Sequence, residues 1–242
     1  SPFSEGRVSP YLSYRTHIWR GTDPHRSGVL VQALRRDFTI DDYVRYALDV
    51  QMFFVQRAGR LIPVTGLSFR RFLSAGYRGL TAGQEDWKLH LSTIFTDARL
   101  KTYVEVRSID CLPPDLTLSA PTLLKGLFYC PSSLGAALRL LEGIGAQDFR
   151  SLYDQVPRTG LETPVGRHRV HDYAHDLLRY AERGLRSLAE SRCCDPKDRH
   201  YLEPLKELIL DRRINPAQRL LRSWRSRTRR DLLGLLKRET AF

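Results

Sequence analysis

The sequence predicts an α+β protein, and three observations carry that expectation. Residues 1–110 mix short alternating, strand-like runs with short helices. Residues 111–242 repeat apolar positions at helical spacing over long stretches. Neither an internal repeat nor a low-complexity linker separates the halves, so one domain over 1–242 is expected. The chain of 242 residues is long enough for a real core. Its 42% hydrophobic and 27% charged residues are ordinary for a globular protein, which excludes a disordered tail, a collagen-like fibre and a disulfide miniprotein. No apolar run approaches the roughly 20 residues that would span a membrane.

Along the first half, Tyr11 to Arg20 alternates. This predicts a strand with Leu12, Tyr14, Thr16 and Ile18 on one face and Ser13, Arg15, His17 and Trp19 on the other. Gly21-Thr22-Asp23-Pro24 ends it as a turn. Thr39 with Asp42 is a capping-box pattern, opening a helix whose stripe is Ile40, Tyr43, Val44, Ala47 and Leu48. Met52–Val55 and Leu61–Val64 flank Ala58-Gly59-Arg60, which predicts a hairpin. Ser68 caps a short helix through Leu73. In the second half, Ser119 with Pro121 starts one helix. Val170, Tyr173, Ala174, Leu177, Leu178, Ala181, Leu185 and Leu188 mark another. Asn215-Pro216 opens the last, which is expected to carry Arg219, Arg222, Arg225, Arg227, Arg229 and Arg230 around Leu220, Leu221 and Trp224.

Charge and cysteines narrow the function. The net charge is +12, since 39 Lys+Arg outweigh 27 Asp+Glu, so polyanions are favoured partners: nucleic acid, anionic lipid or nucleoside triphosphates. Cys111, Cys130, Cys193 and Cys194 show neither framework nor zinc spacing, and reduced thiols in a cytoplasmic protein are expected. Ser1 to Gly6 has no signal-peptide character.

The segment Arg99 to Asp110 reads as a single strand, rich in β-branched residues. Leu100, Thr102, Val104 and Val106 then face one way; Arg99, Lys101, Tyr103, Glu105 and Arg107 face the other. A carboxylate among cations suits phosphate chemistry. Glu105 offers oxygen to Mg²⁺, and Arg107 offers a phosphate its two-pronged guanidinium. The same pattern also suits a solvated face whose charges pair across strands.

The run Thr93-Ile94-Phe95-Thr96-Asp97-Ala98-Arg99-Leu100-Lys101-Thr102-Tyr103-Val104-Glu105-Val106-Arg107 resembles the T-I-F-P-E-V-R-L-K-R-Y-L-E-M-R signature of plant and α-proteobacterial glutamate–cysteine ligases. Further stretches match in the same order: Ser1-Pro2-Phe3 to Gly6, Leu12 to Trp19, Asp23 to Gly28, Tyr43 to Val50, Thr65 to Arg70 and Val156 to Pro164. Tyr103 to Asp110 is also similar to the Y-I-E-V-R-S-L-D strand of a more distant bacterial ligase type.

The resemblance implies a glutamine-synthetase-like carboxylate–amine ligase: a curved antiparallel sheet forming a cradle, incomplete at the N-terminus and backed by helices, with a helical C-terminal half. It implies ATP and Mg²⁺ as cofactors and glutamate and cysteine as substrates. Glutamate would be joined through a γ-glutamyl phosphate to give γ-glutamylcysteine, the first step of glutathione biosynthesis. By the same resemblance Glu105 is a metal ligand, and Arg107 and Lys101 are catalytic. Arg99, Lys101, Tyr103 and Arg107 hold the nucleotide, while Arg15, His17, Trp19 and Arg70 bind substrate. His90 matches a family histidine without an assigned role. A preceding region of the same protein is expected to add metal-binding glutamates, which makes this chain look like a C-terminal portion, and the plant redox-switch cysteine falls at Leu118. Three alternatives stay open: a relative with another amine acceptor or thiol pathway, a degenerate relative with a structural role, and a non-catalytic basic protein that binds nucleic acid. Neither a nucleic-acid nor a membrane partner is expected for the ligase.

Overall fold

The computed structural model describes Pro2–Trp224 and Arg229–Thr240. These residues form two compact units, one of residues 18–108 and one of residues 1–17 with 109–242. The architecture is mixed helix and strand, as expected. Among the described residues the strands form five two-stranded ladders, four antiparallel and one parallel.

In the 18–108 unit, local signals set the elements. The Thr39 hydroxyl accepts from the Asp42 amide at 3.3 Å, and the Asp42 carboxylate accepts from the Thr39 amide at 2.9 Å, so the capping box opens the Ile40–Asp49 helix. Tyr43 and Ala47 of its stripe are buried, while Ile40 in the open first turn is 67% exposed. Phe54–Arg57 pairs antiparallel with Arg60–Pro63. Ala58 and Gly59 at the tip have φ of 47° and 76°, the left-handed pair that matches a two-residue hairpin to strand twist. Ser68 caps Phe69–Ala75 by accepting from the Arg71 amide.

Met52, Val55, Val64, Phe69 and Phe72 form one core cluster, and Ala47, Val50 and Ile94 another. Trp87 of the Gln84–Ser92 helix packs against both. His90 is buried beside Phe69 and Trp87, at ring separations of 5.2 and 5.8 Å. Its Nε2 lies 2.8 Å from the Ala47 carbonyl, which only accepts, so Nε2 carries the proton. Burial holds the imidazole below its ordinary 6.5, and the ring is neutral at neutral pH. Arg26 is 2% exposed, donating to Asp23 at 2.7 Å, to the Thr93 carbonyl at 3.3 Å and to the Gln51 carbonyl. Arg57 grips Asp86 with two hydrogen bonds of 2.6 and 2.9 Å.

The other unit is built on the Ser119–Phe128, Pro131–Leu141 and Val170–Glu190 helices, around Leu127, Ala137, Ala181, Leu185 and Leu202. The first and third of these helices touch backbone to backbone. A Cβ added at Gly184 would fall on the Gly126 carbonyl, and one added at Gly126 on that of Ala181. Ser133 reinforces the packing by donating to the Tyr180 carbonyl at 2.8 Å. Asn215 and Gln218 form a capping box of 2.8 and 2.9 Å around Pro216, as the sequence predicts. All four cysteines are free. Among the described residues, no helix is long and apolar enough to cross a membrane.

Three expectations are corrected. Tyr14–Arg20 is a helix rather than a strand, because Ser13 caps it: its hydroxyl accepts from the Thr16 amide at 3.2 Å. Arg99–Asp110 is not one strand, since Ala98–Leu100 turns back onto Val104–Val106. The helix opened by Asn215 ends at Ser223; Arg225 and Arg227 lie outside the described residues, and Arg229 begins a separate helix to Thr240.

Gly184→Ala forces the two helices apart and is expected to cost about 3 kcal/mol, the upper range for overpacking; urea unfolding measures it. The buried His90 has a lower pKa folded than unfolded, so below about 6.5 the unfolded chain binds a proton that the native one refuses. Stability is therefore full above that pH and falls on acidification. Thermal melts between pH 7.5 and 5.5 should show this slope, and His90→Gln should flatten it.

Candidate active site

The hairpin built by Ala98–Leu100 and Val104–Val106 sets Arg99 directly opposite Glu105, with Leu100 opposite Val104 and Ala98 opposite Val106. Directly opposed residues share a face of an antiparallel pair, and Arg107 lies two residues beyond Glu105 on that same face. The hairpin thus delivers much of what a single strand would have delivered, by another route. Lys101 and Tyr103 lie at the turn instead. The opposite face is not a buried apolar layer, since Val104 is 64% exposed.

Glu105 is gripped by three cations. Arg99 donates through Nε at 2.7 Å, Arg107 donates to the other oxygen at 3.0 Å, and the Lys101 ammonium stands 3.7 Å away. The hydrogen bond from Arg99, with the charges of Arg99, Arg107 and Lys101, holds the Glu105 carboxyl below its ordinary 4.5. It is a carboxylate at neutral pH. Arg99 is itself anchored, 7% exposed, with Nη1 donating to the carbonyls of Ser92 and Ile94 at 3.2 Å each. The Arg107 guanidinium lies against Trp19 and Phe95, 5.8 and 5.6 Å from the ring centres, and those rings meet edge to face at 6.3 Å. Lys101 stands 5.9 Å from the ring centre of Tyr103, a 58% exposed side chain.

The remaining candidates have other surroundings. The Arg70 fork is taken by Asp49, at 2.6 and 3.0 Å. His17 stacks on Tyr11 at 3.8 Å between ring centres; the far partner of Tyr11 is Arg158, which donates to its hydroxyl at 2.8 Å. Arg15, His17 and Trp19 all lie on the Tyr14–Arg20 helix. Sequence reasoning missed Phe95 and the carbonyls of Ser92 and Ile94, which position the cluster; Ile94 and Phe95 lie inside the T-I-F match, where they read only as signature. It also missed the buried anchor Arg26, inside the Asp23-to-Gly28 match.

Chemically, three cations against one carboxylate leave the face two charges positive, a surface for a polyanion. Among the described residues, no group of three or more His, Cys, Asp or Glu converges on a point. Glu105 is the one carboxylate of this cluster, and a metal ion held there would need most of its oxygens from phosphate and water.

A protein of mixed helix and strand with a cationic, carboxylate-bearing hairpin fits the class of carbon–nitrogen ligases. The family is shown directly: residues 1–237 match the model of glutamate-cysteine ligase family 2 (GCS2), and the chain belongs to that family. It is similar to the chloroplastic glutamate–cysteine ligase of Arabidopsis thaliana, 36% identical over 91% of this chain and 42% of that protein. It is likewise similar to glutamate–cysteine ligase A of Oryza sativa subsp. indica, 35% identical over 96% of this chain and 46% of that protein. The Solanum lycopersicum ligase is 35% identical over 91% of this chain. The chain thus spans less than half the length of the curated relatives it matches. These relatives are named chloroplastic, which overturns the cytoplasmic expectation.

Arg99→Ala strips the Ser92 and Ile94 carbonyls of their buried donor and is expected to destabilise the unit by about 3 kcal/mol, for two charge-assisted bonds; chemical denaturation checks this. Because the folded Glu105 pKa lies below the unfolded one, its contribution to stability is full at neutral pH and fades as pH falls below 4.5. Carbon-13 NMR titration of the carboxyl should show an upward shift in Arg107→Gln.

Proposed function

We propose that the protein carrying this chain joins glutamate to cysteine, using ATP and Mg²⁺, and gives γ-glutamylcysteine for glutathione biosynthesis. ATP would phosphorylate the γ-carboxylate, and the cysteine amine would displace phosphate from the acyl phosphate. The observation that carries this reading is the face on which Arg99, Lys101 and Arg107 surround Glu105. It is supported by the family and by the names of the relatives.

The residues divide the work. Arg107 and Lys101 neutralise charge on the transferring phosphate, where electrostatics and positioning supply most of the rate. Arg107 works by its fork, which lies against Trp19 and Phe95. Arg99 is a positioning residue: two carbonyls fix it, and it fixes Glu105. Glu105 would hold the magnesium ion, which would balance charge on the phosphates. Tyr103, at the turn beside Lys101, flanks the nucleotide side. Arg15 would clamp a substrate carboxylate through its two-pronged guanidinium. We read the short ladders as parts of a glutamine-synthetase-like cradle.

Release of ADP by the full-length protein, with glutamate, cysteine and Mg-ATP, tests this. Wild type should require all three. Glu105→Gln should lower kcat at least a hundredfold and raise the Mg²⁺ concentration needed for half-maximal rate. Arg107→Lys, which keeps the charge and loses the fork, should fall at least tenfold. Cysteine-independent ADP release by wild type would defeat the reading, and an unchanged Mg²⁺ dependence in Glu105→Gln would defeat the metal assignment.

A further inference from the structure

Arg212, Arg219, Arg222 and Arg238 belong to none of this chemistry, yet they line one cavity. In the unit of residues 1–17 and 109–242, a cavity of about 450 Å³ is lined by Arg212, Arg219, Arg222 and Arg238 against one carboxylate, Asp231. Two of the arginines are tied into the wall. Arg219 grips Asp115 at 2.7 and 3.1 Å, and Arg212 meets Glu207 at 2.5 Å. Arg222 and Arg238 are exposed and have no carboxylate partner among the described residues. Ile214 and Leu235 supply apolar floor.

With Asp231 in the lining and Asp115 and Glu207 paired to Arg219 and Arg212, the concavity is left one charge positive, and the unpaired forks of Arg222 and Arg238 are what a multivalent anion would bind. Shape and chemistry narrow the class. A nucleic-acid duplex does not enter a space of 450 Å³, and no aromatic ring lines it among the described residues, so bases have no stacking platform. A planar carboxylate satisfies one arginine fork, whereas a tetrahedral phosphate accepts from several arginines that approach from different sides. We propose that this cavity binds a small oligophosphate anion. Arg222 and Arg238 supply the forks, and Arg212 and Arg219, each paired with a carboxylate, shape the wall. The ligand is either a free oligophosphate or the phosphate tail of a nucleotide, and the proposal is independent of the function assigned to the Glu105 hairpin.

Calorimetric titration of the 242-residue chain with sodium tripolyphosphate, at constant salt, tests it. Wild type should show a binding component that Arg222→Gln with Arg238→Gln weakens at least tenfold and that Arg107→Gln leaves unchanged. The paired lysine variant, which keeps charge and loses forks, should lie between. Both positions are exposed, and circular dichroism confirms that the variants fold. The same titrations with ATP distinguish the source: loss with both ligands means the phosphate tail suffices, and loss with tripolyphosphate alone means a free anion. An unchanged component in the double glutamine variant overturns the proposal, as does citrate binding equally well. A single-stranded oligonucleotide that binds through Arg222 and Arg238 more tightly than tripolyphosphate overturns it in favour of nucleic acid.

Discussion

The candidate site depends on one buried guanidinium. Arg99 has lost nearly all its water, and a charge in that position persists only if every donor finds an acceptor. Two acceptors are the Ser92 and Ile94 carbonyls, supplied by the chain leaving the Gln84–Ser92 helix. The third is Glu105, which the hairpin register delivers directly opposite. Were the register to slip by one residue, Glu105 would turn to the other face and Arg99 would be left uncompensated. The ion pair therefore specifies the register as much as the register places the ion pair.

The same unit uses this device repeatedly. Arg26 ties the Thr93 and Gln51 carbonyls to Asp23, and Arg57 ties the Thr81 carbonyl to Asp86. Each arginine reaches a carboxylate with part of its fork and a distant backbone carbonyl with the rest. In a unit whose ladders are two strands wide, hydrogen bonds between strands join little beyond each hairpin except the Ser27–Gly28 and Phe95–Thr96 pair. Arginine, with five donors in a fixed plane, does that joining. Part of the positive excess read from composition is thus structural.

Signals that act over three or four residues were legible in the sequence. The Thr39 and Asn215 capping boxes, the Ala58-Gly59 turn and the Ser68 cap all form where their residues predict them. Failures arose where two periods fit the same letters. Tyr11 to Arg20 alternates like a strand, but Ser13 supplies the first-turn acceptor and the chain winds into a helix. Arg99 to Asp110 has strand residues throughout, and Lys101-Thr102-Tyr103 carries neither Gly nor Pro nor Asn to announce its turn. That turn is enforced by the pairing of Arg99 with Glu105, a contact that no local pattern displays.

The candidate site came through this error because of parity. Arg99, Glu105 and Arg107 are all odd-numbered, so a continuous strand puts them on one face. A hairpin that pairs 99 with 105 does the same, since opposed residues share a face. What changes is distance. Six residues apart along one strand, Arg99 and Glu105 would stand about 20 Å from each other, beyond any direct interaction. Folded back, they stand in hydrogen-bond contact at 2.7 Å. A row of separated charges becomes a single cluster in which one carboxylate is held by three cations.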